Sequence, residues 1–297
     1  MYTLLRDVAG AMNSVLNDLA SYAIKIIERH RLRLRDLLIG IKYAIAIVEG
    51  PKGVAAGLCF VDYLDSLFDP EVPSVNLSDL DSLLLSRYHL WRVAGVAIAN
   101  AVFQYELWIE GVMERYQASN KLRYTTLEDL ARELRDLQPV LIVGNMGPLI
   151  RKLRSLGIEN LVVVERNVAM RVNALPDIAM PFIAKSVGAA IITGAAIPNG
   201  TLDYLLKTLD NVPLKVIVGP TAQADPMLFA SYGIKVVAST RIIDISLAVD
   251  IVKRGGGRHA LAKSLSDYIV SINTASTHLR NSSRLNAVWN SQSTLWV

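Results

Sequence analysis

The feature that most constrains this chain is a regular alternation of short apolar runs with helix-length segments in its second half. Five runs predict β-strands at 140–143, 160–164, 189–192, 214–218 and 234–237. Segments of helical length lie between or after them, at 148–156, 201–209, 225–232 and 244–254. Strands that alternate with helices predict an α/β domain, in which about five mostly parallel strands carry helices on both faces.

The first half has a different pattern, which predicts an α+β domain. Residues 4–30 repeat apolar side chains at helical spacing, and the isoleucine-rich run 34–48 leads into a turn at 49–53. The chain then returns as "VAAGLCFVDY", which completes a hairpin signal. Two helices should follow, one capped by Ser78 and a longer one over 88–116. We therefore expect a small antiparallel meander plus helices.

These two patterns divide the chain into an α+β domain over 1–122, an α/β domain over 123–275 and a polar tail over 276–297. The tail contains Trp289 and Trp296. It is either a frayed end or an arm that docks on a partner, and an apolar chain with tryptophans in its tail is consistent with a homodimer.

The hydrophobic fraction of 52% and the mean hydropathy of +0.33 raise the question of a membrane span. The charge-free stretches 93–105 and 186–202 hold thirteen and seventeen residues. A spanning helix needs about 20 predominantly apolar residues, so we expect no membrane partner. The first helix is not preceded by a signal-peptide pattern, and the expected location is the cytoplasm. The single cysteine, Cys59, excludes a disulfide framework and a thiolate metal cluster.

The net charge of +4 and the pI near 9.1 do not by themselves indicate a nucleic-acid partner. Much of the positive charge is local, since "ERHRLRLRD" at 28–36 concentrates Arg29, Arg31, Arg33 and Arg35. A basic strand edge explains this run as well as a phosphate-binding stripe does, and no nucleic-acid module is recognisable.

Polar and glycine residues follow the predicted strands at the points where the strands end. Ligands of open parallel sheets bind at the carboxyl ends of the strands, so these exits are candidate ligand contacts. In chain order they include Gly144, Asn145, Gly147, Glu165, Asn167, Thr193, Asn199, Thr201 and Thr221.

The first exit, "VGNMGP", resembles a nucleotide-binding loop but has the wrong glycine spacing. It lacks the second glycine of the dinucleotide fingerprint and the Lys-Ser/Thr pair of a P-loop. Glu165, twenty-one residues after Gly144, does lie where a ribose-binding acid would be. The loop is either a tight turn without a ligand or a set of backbone N–H groups that holds an anionic ligand at a helix N-terminus.

The titratable residues do not form a hydrolytic or zinc motif. His30, His89, His259 and His278 are scattered, without metal-ligand spacing. Glu165 and Asp177 could act as a carboxylate pair for acid/base chemistry or for hard-metal binding. Asp203 and Asp244 fit the first turns of helices, where negative charge is favoured for structural reasons.

Several motifs together resemble a prokaryotic family of uncharacterised proteins described as putative heavy-metal chelation proteins. In the second half they are "VGNMGP", "VVVERN", "LPD", "ITGAAIPNGT", "VGPTA" and "RIIDISLAVDIVKRGGG"; in the first they are "GVAAGLCF" and "GVAIANA". The resemblance covers roughly residues 5–272. It implies an enolase N-terminal-like α+β domain, followed by a Rossmann-like α/β domain, with the site in the cleft between them.

Carried over to this sequence, the resemblance points to the strand-exit residues Gly144, Asn145, Glu165, Asn167, Asp177, Thr193, Asn199, Thr201 and Thr221, with Asn100 contributed by the first domain. It does not supply a reaction. Oxygen ligands from Glu165, Asp177 and the asparagines could hold a divalent cation, or a metal could arrive already bound to a small chelator.

We therefore expect a protein that binds a small anionic or heteroaromatic molecule, such as a metal chelator or its precursor, in the interdomain cleft. Whether the chain transforms that molecule is open; in an enzyme, Glu165 or Asp177 would do the acid/base work. One alternative is a carrier that delivers a metal complex without chemistry. Another is a nucleotide-dependent enzyme with a degenerate Rossmann loop.

Overall fold

The computed structural model describes residues 14–114, 124, 126–273 and 284–289. They form a mixed α/β structure with two sheets. One is a three-stranded antiparallel sheet, and the other is an eight-stranded, mostly parallel sheet. Within the described residues, no helix is both long enough and apolar enough to span a membrane.

The N-terminal part, residues 14–114, contains the small sheet and the helices that cover it. The helices are α1 (Ser14–His30), α2 (Tyr63–Ser66), α3 (Leu80–Leu84) and α4 (His89–Gln104), and the strands are β1 (Arg33–Ile39), β2 (Tyr43–Gly50) and β3 (Gly53–Phe60). A π-helical turn, Tyr105–Ile109, follows α4. Since β2 is the central strand, β1 and β3 are the two edges of this sheet.

The C-terminal part begins at Tyr124 and contains the large sheet. Its strands are β4 (Val140–Val143), β5 (Leu161–Glu165), β6 (Leu175–Pro176), β7 (Ala189–Thr193), β8 (Leu214–Val218), β9 (Val236–Ile242), β10 (Leu265–Asn273) and β11 (Arg284–Trp289). Its helices are α5 (Leu127–Asp136), α6 (Gly147–Ser155), α7 (Met180–Ile183), α8 (Leu202–Thr208), α9 (Pro226–Ala230), α10 (Ile245–Lys253) and α11 (Arg258–Leu261).

The order of the large sheet is β11-β10-β9-β8-β7-β4-β5-β6. Strands β4 to β9 are parallel to one another, while β10 and β11 are antiparallel additions at one end. From β4 the chain first builds outward through β5 and β6, then returns and builds the other way from β7. The boundary between β4 and β7 is therefore a topological switch point, where open α/β sheets leave a crevice for ligands.

The small sheet is buried on both faces, and this fixes its position against the large sheet. Alternating residues such as Ala44 and Ala46 face the core formed with α1 and α4, while Ile45 and Ile47 face α10 of the C-terminal part. The helix α4 approaches β3 most closely at Gly57. A Cβ atom there would lie 2.1 Å from the backbone nitrogen of Ala101. The two parts share one hydrophobic core, because the cluster around α4 continues into β7 and β8.

Side chains from the C-terminal part satisfy the outer edge of β3. The Leu58 N–H donates to Gln223 Oε1 at 2.7 Å, and the Phe60 N–H donates to Thr221 Oγ1 at 2.9 Å. Asn100 Nδ2, on α4, donates both to the Leu58 carbonyl at 2.8 Å and to the Thr221 carbonyl at 2.9 Å. An edge strand left unpaired exposes N–H and C=O groups, and here buried amides cover them. Gln104 Nε2, one helical turn after Asn100, donates to the Gln223 carbonyl at 3.0 Å. We call Asn100, Gln104, Thr221 and Gln223 the amide seam.

Several features of the N-terminal part differ from the sequence-based prediction. Ser78 does not cap a helix, because it lies inside the 3₁₀ turn Leu77–Asp79, which has Asn76 at its N-cap. The run 34–48 forms two strands instead of one, because a tight turn at 40–42 places Gly40 against α10, where a Cβ would lie 2.6 Å from the Val252 carbonyl oxygen. The helix predicted over 88–116 ends as an α-helix at Gln104 and continues as the π-turn. Residues 1–13, the start of the predicted helix 4–30, lie outside the described residues.

In the C-terminal part, the five predicted strands lie within a few residues of β4, β5, β7, β8 and β9. The prediction missed β6, β10 and β11. Six residues of the segment interpreted as a frayed tail or a partner-docking arm form β11, and Trp289 pairs with Tyr268 of β10 in the same chain. A six-residue strand flanked by polar residues gives little periodic signal, which is why the sequence did not reveal it. The rest of the tail lies outside the described residues.

We predict that replacing Asn100 with alanine lowers the free energy of unfolding by about 2 to 4 kcal/mol, because two buried carbonyl groups lose their donor. Urea denaturation followed by circular dichroism measures this change. Asn160→Ala is the matched control: its side chain is exposed, so its effect should stay within about 0.5 kcal/mol. Equal losses in the two variants would show that the amide seam does not stabilise the fold.

Candidate functional site

A cavity of about 380 Å³ lies at the carboxyl edge of the large sheet, at the switch point. Its floor is formed by the exits of β4, β5, β7 and β8, and the N-terminal part contributes Tyr43, Phe60 and Asp62 to its wall. The volume falls within the range of roughly 300 to 1,000 Å³ that is typical of small-molecule sites. Because the amide seam joins Phe60 to the exit of β8, the two walls are held in a fixed relation.

Nine of the eleven residues proposed from the sequence line this cavity. They are Gly144, Asn145, Glu165, Asn167, Asp177, Thr193, Asn199, Thr201 and Thr221. They come together because the carboxyl ends of parallel strands meet at one edge of a sheet. The other two, Gly147 and Asn100, are not among the lining residues. Gly147 begins α6 next to the cavity, and Asn100 positions Thr221 from behind through its carbonyl group.

The glycine loop after β4 does not offer its backbone N–H groups to a ligand. The N–H groups of Gly144, Asn145, Met146 and Gly147 donate to Val164 O, Glu165 Oε2, Gly144 O and Asn145 O. The next residue, Pro148, has no N–H. The loop is nevertheless sterically demanding, since Gly144 has a φ of 97° and a Cβ there would lie 2.8 Å from Thr193 Cγ2. The backbone N–H groups of this loop, which could have held an anionic ligand, are therefore already bonded within the protein.

Glu165 is the group that occupies this loop. Its Oε2 accepts the Asn145 N–H and its Oε1 accepts the Asn167 N–H, both at 2.8 Å. Asn145 in turn donates its side-chain amide to the carbonyls of Met170 and Val172, at 2.8 and 3.0 Å. Glu165 thus ties the exits of β4 and β5 together, and this engagement argues against its proposed role as a general base.

Arg258 is a charged residue of the cavity that the sequence analysis did not predict. Its Nη2 donates to Asp267 Oδ1 at 2.7 Å, whereas Nε and Nη1 are shielded from solvent and lack a hydrogen-bond partner among the described residues. Burying guanidinium donors without partners is costly, so an acceptor on a ligand would recover that cost. The sequence feature that could have indicated it is the "GGGR" segment after α10. In the structure, the arginine of this segment begins the short helix α11, and the segment does not form a phosphate-binding turn.

An aromatic wall stands beside Arg258. The rings of Tyr43 and Phe60 pack edge to face with centroids 5.8 Å apart, and both line the cavity. Burial raises the pKa of Tyr43 to about 12, so its hydroxyl is neutral at physiological pH. The two residues are cross-strand partners at the open end of β2 and β3. This wall offers an apolar surface to a flat ligand.

An ion-pair cluster closes the opposite side of the cavity. The Arg166 guanidinium, at the exit of β5, pairs with Asp62 at 3.0 Å and also with Asp65. Burial works to lower the pKa of Arg166, but the carboxylates of Asp65, Asp62 and Asp177 raise it overall. Arg166 therefore remains charged and links the N-terminal part to β5.

The side chains present do not fit a heavy metal bound directly by the protein. Within the described residues, three His, Cys, Asp or Glu side chains do not converge anywhere in a way that could hold a metal ion. The only thiol, that of Cys59, is buried in the hydrophobic core, where burial raises its pKa well above the usual range. A thiolate, the form that binds soft metals, is disfavoured there.

Comparisons with known proteins place this chain among relatives of the same architecture. A family model, DUF364, described as "Putative heavy-metal chelation", matches residues 127–271. An uncharacterized protein of Methanocaldococcus jannaschii is 32% identical over 246 residues, which cover 80% of this chain and 91% of that protein.

Two crystal structures of proteins of unknown function from the DUF364 family share the fold. The structure from Pyrococcus horikoshii has a TM-score of 0.72 at 26% identity and covers 86% of this chain and 99% of that one. The structure from Desulfitobacterium hafniense has a TM-score of 0.64 at 18% identity, with 86% and 98% covered. At that lower identity, the likeness shows the fold alone.

We predict that Glu165→Gln destabilises the protein by about 1 to 3 kcal/mol, because an amide offers one acceptor oxygen where two backbone N–H groups need one each. Urea unfolding measures the loss. Glu159→Gln, in an exposed position just before β5, is the control and should change stability by less than about 0.5 kcal/mol. A fully stable Glu165→Gln protein would contradict the structural role assigned to this carboxylate.

We also predict a pH dependence that originates at His89. Its Nε2 accepts the Asp62 N–H at 3.3 Å, and burial, aided by the charge of Arg92, lowers its pKa from 6.5. The unfolded chain then binds a proton more readily than the folded chain, so this stability is fully present above the unfolded pKa and is lost as pH falls from there through the folded pKa.

The measurement is the free energy of unfolding between pH 8 and pH 5 for the wild type and for His89→Gln, which keeps an acceptor but does not titrate. We expect the wild type to lose more stability than the variant below about pH 6.5. Parallel curves for the two proteins would refute the contribution of His89.

Proposed function

The chain belongs to the DUF364 family, and we propose that it binds a small anionic molecule with a flat, apolar or heteroaromatic body in the cavity between its two parts. The observation that carries this proposal is Arg258, a cavity-lining cation whose buried Nε and Nη1 lack a hydrogen-bond partner among the described residues. Tyr43 and Phe60 supply an apolar surface beside it. The ligand's anionic group would pair with the guanidinium, and its ring would lie against the aromatic wall.

The side chains of the cavity also relate this ligand to the description of the family, heavy-metal chelation. Since the described side chains offer no convergent set of metal ligands, a metal would enter this cavity as a complex with a small chelator. Chelators bear several carboxylate or other anionic groups, which a guanidinium recognises. The proposed ligand is therefore a metal chelator, its precursor or its metal complex.

Two observations bear on the alternatives. The backbone N–H groups of residues 144–147 are already used within the protein, which disfavours a nucleotide pyrophosphate at this loop. The engagement of both Glu165 oxygens favours ligand binding without proton transfer by that residue, as in a carrier.

We also infer that the N-terminal part has the enolase N-terminal-like fold implied by the family resemblance, because it joins a three-stranded meander to the helices α3 and α4.

The test is native mass spectrometry with elemental analysis on protein purified without added chelators. We expect a small-molecule adduct on the wild type that is lost in Arg258→Met and weakened in Arg258→Lys, which keeps the charge but not the guanidinium. If the adduct contains a metal, metal and adduct should disappear together.

Arg254→Met provides the matched control. Arg254 lies four residues before Arg258, at the end of α10, but it is exposed and pairs with Asp250. The control protein should retain the adduct. If a folded Arg258→Met protein retains the adduct, Arg258 does not hold the ligand and the proposal is wrong.

A further inference from the structure

The charges around the cavity are separated to its two sides. Arg258 lies on the β9 side, since its guanidinium contacts Asp267 of β10, which pairs with Thr240 of β9. Asp177 directly follows β6, at the other end of the sheet. Because the switch point lies between β4 and β7, the arginine and the aspartate are on opposite sides of it.

The β5–β6 side has an excess of negative charge. Its carboxylates are Asp62, Asp65, Asp69, Glu165 and Asp177, and its guanidiniums are Arg92, Arg166 and Arg171. Arg171 donates to the carbonyls of Glu165 and Arg166, at 3.0 Å each, so its hydrogen bonds do not reach a carboxylate. Of these guanidiniums, Arg166 is the one that pairs directly with Asp62 and Asp65. The carboxylates outnumber the guanidiniums, so this side is acidic.

Asp177 is a cavity-lining carboxylate on this side that forms no direct ion pair within the described residues, whereas Asp62 pairs with Arg166. Its Oδ1 accepts the N–H of the next residue, Ile178, at 3.1 Å, while its Oδ2 has no hydrogen-bond partner among the described residues. Glu165, by contrast, uses both oxygens within the protein. Asp177 lines the cavity and is only partly exposed, so a cationic N–H group placed there would gain a charge-assisted hydrogen bond.

Between the two charged sides, uncharged residues line the cavity. Apolar side chains such as Val143, Met146 and Leu149 stand there beside the polar strand exits. The cavity floor runs from the exit of β8 to the exit of β5, which are three strand spacings or about 14 Å apart, and Arg258 and Asp177 lie at its two ends. A ligand that reaches both sides therefore needs an apolar body that separates its charged ends.

We propose that the ligand is a dipolar aminocarboxylate, with an anionic group at Arg258 and a protonated amine at Asp177, joined by an extended apolar segment. This inference rests on the proposed function, because it specifies the ligand class of the same cavity. It goes beyond that function in requiring a positive end, which a simple anion lacks.

The probes are 8-aminooctanoate, octanoate and 8-(acetylamino)octanoate, titrated into the intact chain by isothermal calorimetry or ligand-observed NMR. They share one carboxylate and one methylene chain and differ only at the far end. We expect 8-aminooctanoate to bind at least roughly tenfold more tightly than octanoate, and the acetylated probe, which lacks the cation, to lose this preference. Both comparisons use the wild-type protein and do not depend on the folding of a variant.

Two variants locate the positive end. Asp177→Asn should abolish the preference for 8-aminooctanoate over octanoate. Asp81→Asn is the matched control, because Asp81 also accepts the N–H of the next residue, at 2.8 Å, on an exposed turn of α3; this variant should keep the preference. Arg258→Met should weaken both probes by a similar factor.

The outcomes separate the two proposals. If octanoate and 8-aminooctanoate bind the wild type equally and both depend on Arg258, the dipolar ligand is wrong while the anion-binding function stands. If neither probe binds, the extended dipolar ligand is wrong, and the proposed function is decided by the adduct test with Arg258→Met. If the probes bind without dependence on Arg258, the anion site at Arg258 is wrong as well. A preference for 8-aminooctanoate that survives Asp177→Asn overturns the assignment of Asp177.

Discussion

The architecture depends on how the outer edge of β3 is satisfied. Leu58 and Phe60 have backbone groups that point away from the small sheet, and these groups meet the side chains of Asn100, Gln223 and Thr221 instead of another strand. Gln223 is fully buried and also donates to the Thr240 carbonyl of β9 at 2.8 Å. Hydrogen bonds of this kind are directional, and buried groups without partners are costly, so the two sheets have one relative position that satisfies them. The cavity inherits its shape from that position.

The hydrogen bonds of the loop after β4 explain why the site differs from a dinucleotide site on a similar sheet. In such sites, backbone N–H groups after the first strand remain available for a pyrophosphate. Here Glu165 supplies the negative charge from within the chain and closes the loop, whereas Arg258 keeps unpartnered donors at a different position around the same edge. In the function we propose, the anionic end of the ligand therefore lies at Arg258 and not at the loop after β4.

Much of the candidate site could be predicted, because parallel strands bring their carboxyl ends to one edge wherever the strands themselves are recognised. Thr193 and Thr221 line the cavity for that reason alone. What could not be predicted is which polar groups are already in use. Glu165 has the residue type and spacing of a ligand-binding acid, but its partners are backbone groups of two loops. The family resemblance pointed to Asn100 as a site residue, whereas its amide bonds Leu58 and Thr221, partners that are distant in the chain.

The sequence by itself determined the strand and helix alternation, the order of the elements along most of the chain and the set of polar residues at the strand ends, since these follow from local periodicity and composition. Only the tertiary structure decided that β10 and β11 extend the sheet, that the small sheet is buried on both faces and that Arg258, Tyr43 and Phe60 line the cavity. The physical reason is that such contacts join residues far apart in the chain. Their geometry depends on packing and on the pairing of every buried polar group, neither of which a local pattern records.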